Sequence, residues 1–361
     1  MSRVAVVHDW LTGMRGGEAV LEAILDALPS AELFTLFHFP GSVSAKIESR
    51  TIHTSELQPL ARRARDYRTL LPLFPRAVRR WDFREFDLIV SSSHCVAKGI
   101  DARGKPHLSY CHTPMRYIWD RFDDYFPRKN MLRRAAAQSI APWLRRWDVA
   151  TAKEVTHFVA NSRFVRDRIR RYYDRDAELV HPYVDDEFLE TPLREGRDDY
   201  HMMVSALVPY KKVELAVAAA VASGRKLVVA GGGPLLGELR ARSGSGVTFM
   251  GPASRASIIE RLARAKSLIL PGVEDFGITP LEAMALGTPV VALGEGGVLD
   301  SVVDGVTGIF FPRPDVESLR GALDAVEARV WDRAAIRAHA SAFSRAQFDA
   351  RFAAALERVR G

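Results

Sequence analysis

Short, fully apolar runs alternate along the chain with amphipathic stretches. Residues 3–8, "RVAVVH", are too short for a buried helix and read as a strand. After a glycine-bearing loop, "EAVLEAILDAL" places Val20, Leu21, Ile24, Leu25 and Leu28 on one helical face. "FDLIVSS", "HLSYC" and "VTHFVA" predict further buried strands. Asn161-Ser162 then caps a predicted helix, "RFVRDRIRRYY", and "AELVHPYVD" closes the series. Residues 187–200, "EFLETPLREGRDDY", are polar and aperiodic, which predicts a linker.

The alternation then restarts. "HMMVSAL", "KLVVAG", "VTFMG", "SLILP" and "PVVAL" read as strands. "VELAVAAAVAS", "PLLGELRARS", "ASIIERLARA" and "LEAMALG" read as the helices between them. Apolar strands separated by helices imply parallel sheets covered on both faces. The predicted class is α/β, with two doubly wound, Rossmann-like domains, 1–186 and 187–343, facing a cleft. A last helix, about 344–361, is free to pack on either.

A chain of 361 residues supports two domains, and 47% hydrophobic with 26% charged residues is an ordinary globular balance. Two cysteines, Cys95 and Cys111, are too few for a disulfide framework and fit a reducing compartment. "MSRVAVVHDW" has no signal-peptide core, and no run reaches the ~18 apolar residues of a membrane span. The expected location is the cytoplasm. A net charge of +7 admits nucleic acid, anionic lipid or phosphorylated ligands without choosing among them. Its densest stretch, residues 46–84, carries arginines around the apolar "YRTLLPLFP". Two readings stay open there: a membrane-surface segment, or arginines covering a core helix.

Candidate chemistry sits on loops that follow strands. "TGMRGGE", Thr12 to Glu18, offers backbone N–H groups at a helix start and glycines that admit a phosphate; a plain tight turn satisfies the same pattern. "AGGGPLLGE" has the wrong spacing for a dinucleotide fingerprint, and no acid ends the next strand to hold a ribose. Lys211 and Lys212 begin a helix, where the dipole disfavours cations unless a phosphate binds; a solvated pair is the alternative. In "GVEDFGITPLE", Glu274 leaves a strand, and Phe276, Gly277 and Ile278 offer N–H groups at the next helix. Thr279 to Glu282 match a capping box, so Glu282 is free either to bond back to the cap or to bind a ligand. His112 ends a strand as a capping, core or ligand-facing residue. The His94-Cys95 and Cys111-His112 pairs lack zinc-ligand spacing, and no metal site is assigned.

These motifs together resemble glycosyltransferase family 4. They are "RGGE", "CHTP", "FVANSRFV", "SALVPYKKVELAV", "VVAGGGPLLGEL", "EDFGITPLE" with "EAMALGTPVVA", and "VVDGVTGIFF", in the family's order over nearly the whole chain. "HDWLTGMRGGE" and "CHTPMRYIWD" are most similar to bacterial mannosyltransferases of O-antigen and exopolysaccharide assembly. The resemblance implies a GT-B fold, an acceptor-binding first domain, a donor-binding second domain, and a C-terminal helix returning to the first. It implies metal-independent, retaining transfer of a hexose, taken as mannose from GDP-mannose, with no cofactor. The acceptor would be a lipid-linked or other saccharide, the enzyme peripheral on the inner face of the cytoplasmic membrane, and nucleic acid no partner.

By the same resemblance, Glu274 holds donor sugar hydroxyls, Glu282 the ribose and Lys211 the diphosphate. His112 contacts the sugar, Gly16 and Gly17 approach the diphosphate, and Arg116 and Thr279 join the substrate-binding set. Ala206 stands where many members carry a second cationic clamp, five residues before Lys211. Arg15 or Lys212 would take that role. Without a replacement, the chain would be a sugar-nucleotide-binding protein with little transferase activity.

Overall fold

The computed structural model describes residues 3–61, 66–126, 128 and 130–360. The chain forms two compact units, residues 1–181 with 349–361, and residues 182–348.

The first unit holds seven strands: β1 (Val4–His8), β2 (Glu32–Thr35), β3 (Ile52–Thr54), β4 (Leu88–Ser93), β5 (His107–Cys111), β6 (His157–Ala160) and β7 (Glu178–Leu179). All pair in parallel, in the order β3-β2-β1-β4-β5-β6-β7. The second unit holds β8 (His201–Val204), β9 (Leu227–Ala230), β10 (Val247–Gly251), β11 (Leu268–Leu270), β12 (Val290–Leu293) and β13 (Gly308–Phe311). They too are parallel, in the order β10-β9-β8-β11-β12-β13. In each sheet the order reverses once, between β1 and β4 and between β8 and β11. Such switch points open a crevice at the C-terminal strand ends.

The second sheet shows why its strands read as unbroken apolar runs. Met202, Val228, Leu268, Leu270 and Val290 enter one core cluster. Their neighbours Met203, Val229, Ile269 and Val291 enter another. Alternate side chains face opposite sides of a strand, so both faces are covered. Each such side chain, fully buried, contributes about 1.5–3 kcal/mol.

Three features depart from the sequence reading. The stretch 187–200 is not wholly irregular: a short helix, Asp186–Glu190, is capped by Asp185, whose side chain accepts from Glu187 N–H, and anchored by buried Phe188. The strands β2 and β3, at one side of the first sheet, have no counterpart among the predicted elements. Nor has a long helix, Met131–Ala152.

In the basic stretch 46–84, Arg62, Arg63 and Arg65 lie outside the described residues, as does the Arg68 side chain. Most of the other cations are engaged within the unit. Lys46 pairs with Asp26, Arg79 with Glu154, Arg80 with Glu56 and Arg84 with Asp82. The Arg50 guanidinium donates to the Pro29 and Leu25 carbonyls. Tyr67, Phe74, Ala77 and Val78 are buried in the core.

Candidate active site

In the second unit, candidate residues converge at the β8/β11 switch point. Lys211 lies in a 3-10 turn, Pro209–Lys211, after β8. Lys212 follows with φ 54° and starts the helix Val213–Ser223. The Lys211 ammonium forms an ion pair with the Glu274 carboxylate, 63 residues on, in the loop after β11. Both side chains are well shielded, 19% and 14% exposed. Close backbone packing holds the two loops together. A Cβ on Gly272 would come within 2.8 Å of the Tyr210 carbonyl and 3.0 Å of the Lys211 Cα. The loop after β12 clamps Glu274 from the other side, its Gly297 N–H donating to the Glu274 carbonyl at 2.8 Å.

The helix Ile278–Ala285 begins directly after this loop. Gly277, with φ 87°, takes the N-cap position, without a side-chain cap and with no acid in the first turn. The capping box expected of Thr279 and Glu282 therefore does not form. A glycine in the left-handed region starts the helix earlier, and Thr279 lies inside it. Gly277 gives the first N–H groups of the helix no side-chain acceptor, none is supplied by the other described residues, and the dipole favours an anion there. Phe276 is buried, with its ring 6.2 Å from that of Phe343, so it anchors the loop and has only its backbone to offer a ligand.

Glu282 is half-buried, one turn into the same helix. Burial pushes its carboxyl up to about 7, against the pull of Arg255. Arg255 is itself paired to Asp185 and stands 3.6 Å from Glu187. Ala206 and Lys212 are both exposed. Lys212 has no acidic partner among the described residues, so of the two clamp candidates named from sequence it is the one in this unit. The glycines of "AGGGP" serve packing: a Cβ on Gly231 would sit 2.0 Å from the Ser205 carbonyl, and on Gly233 2.5 Å from that of Leu207.

The first unit gathers a second cluster at the β1/β4 switch point. Ser92 Oγ lies 3.0 Å from His8 Nδ1 and 2.8 Å from His112 Nε2. Asn161 donates to the His112 carbonyl at 3.0 Å. Gly17, beside Gly16 at the start of the helix Gly16–Ala27, faces the His112 ring; a Cβ there would be 3.9 Å from it. Arg15 is exposed at this helix's N-cap. Arg116 is half-buried on the segment after His112.

Three residues here had no assigned role in the sequence reading. Asp9, buried, accepts four N–H groups, from His94 (2.6 Å), Cys95 (2.9 Å), Val96 (2.7 Å) and Ala97 (2.8 Å), and so fixes the loop after β4. His8 and Glu18 are buried with His8 Nε2 4.0 Å from Glu18 Oε1. The available signal was polar residues directly after β1 and in "RGGE", where a core helix needs none. Burial holds His8 down to about 3, with neighbouring His94 lowering it further, and pushes Glu18 up to about 7 against the pull of Arg15.

These shifts give opposite pH slopes. His8 stays neutral when folded, so its contribution to stability is present above its ordinary 6.5 and lost as the pH falls toward about 3. Glu18 keeps its proton when folded, so its contribution is present below 4.5 and lost as the pH rises through about 7. Glu18→Gln should therefore melt higher than the parent at pH 8.5, by roughly 2–3 kcal/mol or about 5 °C, and equally near pH 4. Thermal unfolding at both pH values checks this; a gain of equal size at pH 4 contradicts it.

Two family models together span most of the chain. One, described as Glycosyltransferase Family 4, matches residues 14–188, and one described as Glycosyl transferases group 1 matches residues 185–341. Solved structures share the whole architecture. The lipopolysaccharide outer core galactosyltransferase WaaB, apo form, superposes with TM-score 0.70 at 16% identity, covering 99% of both chains. Anabaena Alr3699/HepE in complex with UDP-glucose gives 0.70 at 16% identity over 99% of this chain and 100% of that one. The two parallel sheets thus define a GT-B glycosyltransferase fold. The chain belongs to glycosyltransferase family 4. Curated relatives include the D-inositol 3-phosphate glycosyltransferases of Mycobacterium avium (strain 104), 34% identical over 195 residues, and Mycobacterium sp. (strain JLS), 30% over 221. These matches cover 46% and 53% of this chain, which spans about half the length of the curated relatives, 46% and 49%.

Proposed function

We propose that the chain transfers a hexose, mannose from GDP-mannose, to a hydroxyl of a lipid-linked or other saccharide acceptor in cell-surface polysaccharide assembly. The observation that carries this reading is the Lys211–Glu274 pair at the switch point, next to an uncapped helix N-terminus. A diphosphate needs a cation and N–H donors; a sugar needs a fixed carboxylate beside them. The family supports the class, and HepE was solved with UDP and with UDP-glucose, which are nucleotide ligands of that protein.

In this mechanism the acceptor oxygen bonds to the anomeric carbon as the bond from that carbon to the diphosphate oxygen breaks. The acceptor's proton passes to the departing phosphate on the same face, so configuration is retained without a covalent enzyme intermediate or a metal. Lys211 and the N–H groups from Gly277 to Thr279 take up the charge growing on the phosphate. Glu274 orients the sugar, and Glu282 holds the ribose. Lys212 supplies the second cation that Ala206 does not. In the first unit, His112 contacts the sugar, with Arg15, Gly16, Gly17 and Arg116 as the other substrate contacts.

A thermal-shift screen of nucleotide sugars tests the donor. A ligand at 100 times its Kd stabilises the folded state by about 2.7 kcal/mol. GDP-mannose should raise the melting temperature more than UDP-glucose, and release GDP when membrane extract supplies acceptor. Stabilisation by UDP-glucose alone would replace the donor assignment. Stabilisation without nucleotide release would favour a binding protein.

A further inference from the structure

Ser92 of β4, in register with His8 on neighbouring β1, stands between two histidines of the first unit. Its buried Oγ is 3.0 Å from His8 Nδ1 and 2.8 Å from His112 Nε2. A hydroxyl has one hydrogen to donate and two lone pairs to accept with. It cannot donate to both rings, so the state of one ring constrains the other.

The state of His8 follows from its surroundings. Burial holds the ring neutral, so it carries a single hydrogen. The ring also donates to the Ser92 backbone carbonyl, while Nε2 has no hydrogen-bond partner among the described residues. The nitrogen that faces Ser92 and carries the hydrogen is therefore Nδ1. His8 Nε2 is then a lone pair, 4.0 Å from Glu18 Oε1. A carboxyl that keeps its proton in burial suits that lone pair, whereas a carboxylate would repel it.

With His8 Nδ1 donating to Ser92 Oγ, the single Ser92 hydrogen is left for His112 Nε2. A ring nitrogen that accepts carries no hydrogen, and the bond at one nitrogen decides the state of the other. The backbone under the ring is fixed as well. His112 N–H donates to the Ser93 carbonyl at 2.8 Å, and Asn161 donates to the His112 carbonyl at 3.0 Å.

We infer that His8 and Ser92 are positioning residues that fix the tautomer of His112, with its hydrogen on Nδ1 and its Nε2 lone pair held by the protein. In one respect this rests on the proposed function, which gives His112 a sugar to contact. The ring would then meet the sugar through Nδ1 as a hydrogen-bond donor.

Nitrogen-15 NMR of the full chain, labelled at histidine and free of ligand, reads the tautomer directly. A ring nitrogen that carries a hydrogen and one with a lone pair resonate far apart. H112Q removes one of the ten histidine signals and so assigns it. At about pH 6.5, where Glu18 keeps its proton, His8 and His112 should both carry hydrogen on Nδ1 alone. S92A should release the His112 hydrogen to a mixture of the two nitrogens, and so should H8L. H8N is the rescue, because its amide reaches the place of Nδ1 and still donates, so His112 should match the parent. Circular dichroism confirms folding of the variants, and the parent spectrum decides by itself where a variant does not fold. Hydrogen on His112 Nε2 in the parent, alone or together with Nδ1, would overturn the inference. So would a parental His112 signal in folded S92A and H8L alike. S92A should also raise the KM for GDP-mannose about threefold to tenfold. A lost tautomer with unchanged KM would uphold the inference and remove the sugar contact of His112 from the proposed function.

Discussion

Replacing Lys211 or Glu274 by alanine is expected to cut sugar-transfer turnover by about two to four orders of magnitude, with the fold retained. The size follows from what each group does at the reacting centre. In the proposed mechanism Lys211 is a cation in a shielded site where charge grows on a leaving phosphate, and removing one such donor costs other enzymes a hundredfold or more. Glu274 is fixed from both sides, by the Lys211 ammonium and by the Gly297 N–H at its own carbonyl. If it orients the sugar as proposed, its loss frees the sugar as well as removing a contact.

The two variants should not be additive. In the ligand-free protein the side chains satisfy each other, so removing one unpairs the other. The double variant should then lose little more than the worse single one. Both side chains retain some solvent access, which limits the cost in stability. Turnover from initial rates at saturating donor, with circular dichroism to confirm folding, decides the matter. Near-parental turnover in both single variants would remove the pair from catalysis and with it the proposed mechanism.

How much of this pair was visible beforehand depends on what kind of information each part needs. Glu274 and Lys211 were each legible as residues on loops leaving apolar strands. Their meeting was not, because two residues 63 apart in the chain come together only when β8 lies beside β11 in the sheet. The helix after Glu274 was legible, yet its start was misplaced. Thr-Pro-x-Glu fits a capping box by local chemistry, but burial of Phe276 holds Gly277 at φ 87°, and that moves the cap upstream.

Strands β2 and β3 escaped notice for a different reason. "ELFT" and "IHT" are too short to show a period, and pairing with β1 and with each other makes them strands. Helix Met131–Ala152 carries alanines, arginines and scattered apolar residues without one apolar stripe, since only its C-terminal part packs on the core. Asp9, His8 and Glu18 look like surface polarity in sequence. Only burial at the switch point makes them hold the loop after β4 and the surroundings of His112.

The second large effect is expected from a residue without a side chain. Gly297 has φ −69° and ψ −15°, a conformation any residue adopts, so Gly297→Ala introduces no backbone strain. The obstacle is space. An added Cβ would lie 2.1 Å from the Asp275 carbonyl oxygen and 2.4 Å from the Phe276 Cα. Both are backbone atoms and cannot swing aside. Gly296 allows no relief, because its φ of 88° and a Cβ position 2.7 Å from the Glu274 carbonyl hold it as glycine too.

The loop carrying Glu274, Phe276 and Gly277 must therefore move by about an ångström, breaking the Gly297 N–H bond to the Glu274 carbonyl. A shift of that size costs about a hundredfold in rate when it misplaces a reacting group. Overpacking should lower stability by about 1–3 kcal/mol. Gly321→Ala is the control, since a Cβ there meets nothing within 4 Å inside the helix Val316–Glu327, and it should raise stability by about 0.5–1 kcal/mol with turnover unchanged. Kinetics and thermal unfolding of the two variants separate the cases. If Gly297→Ala kept both the rate and the melting temperature of the parent, the backbone clamp on Glu274 would have no part in positioning it.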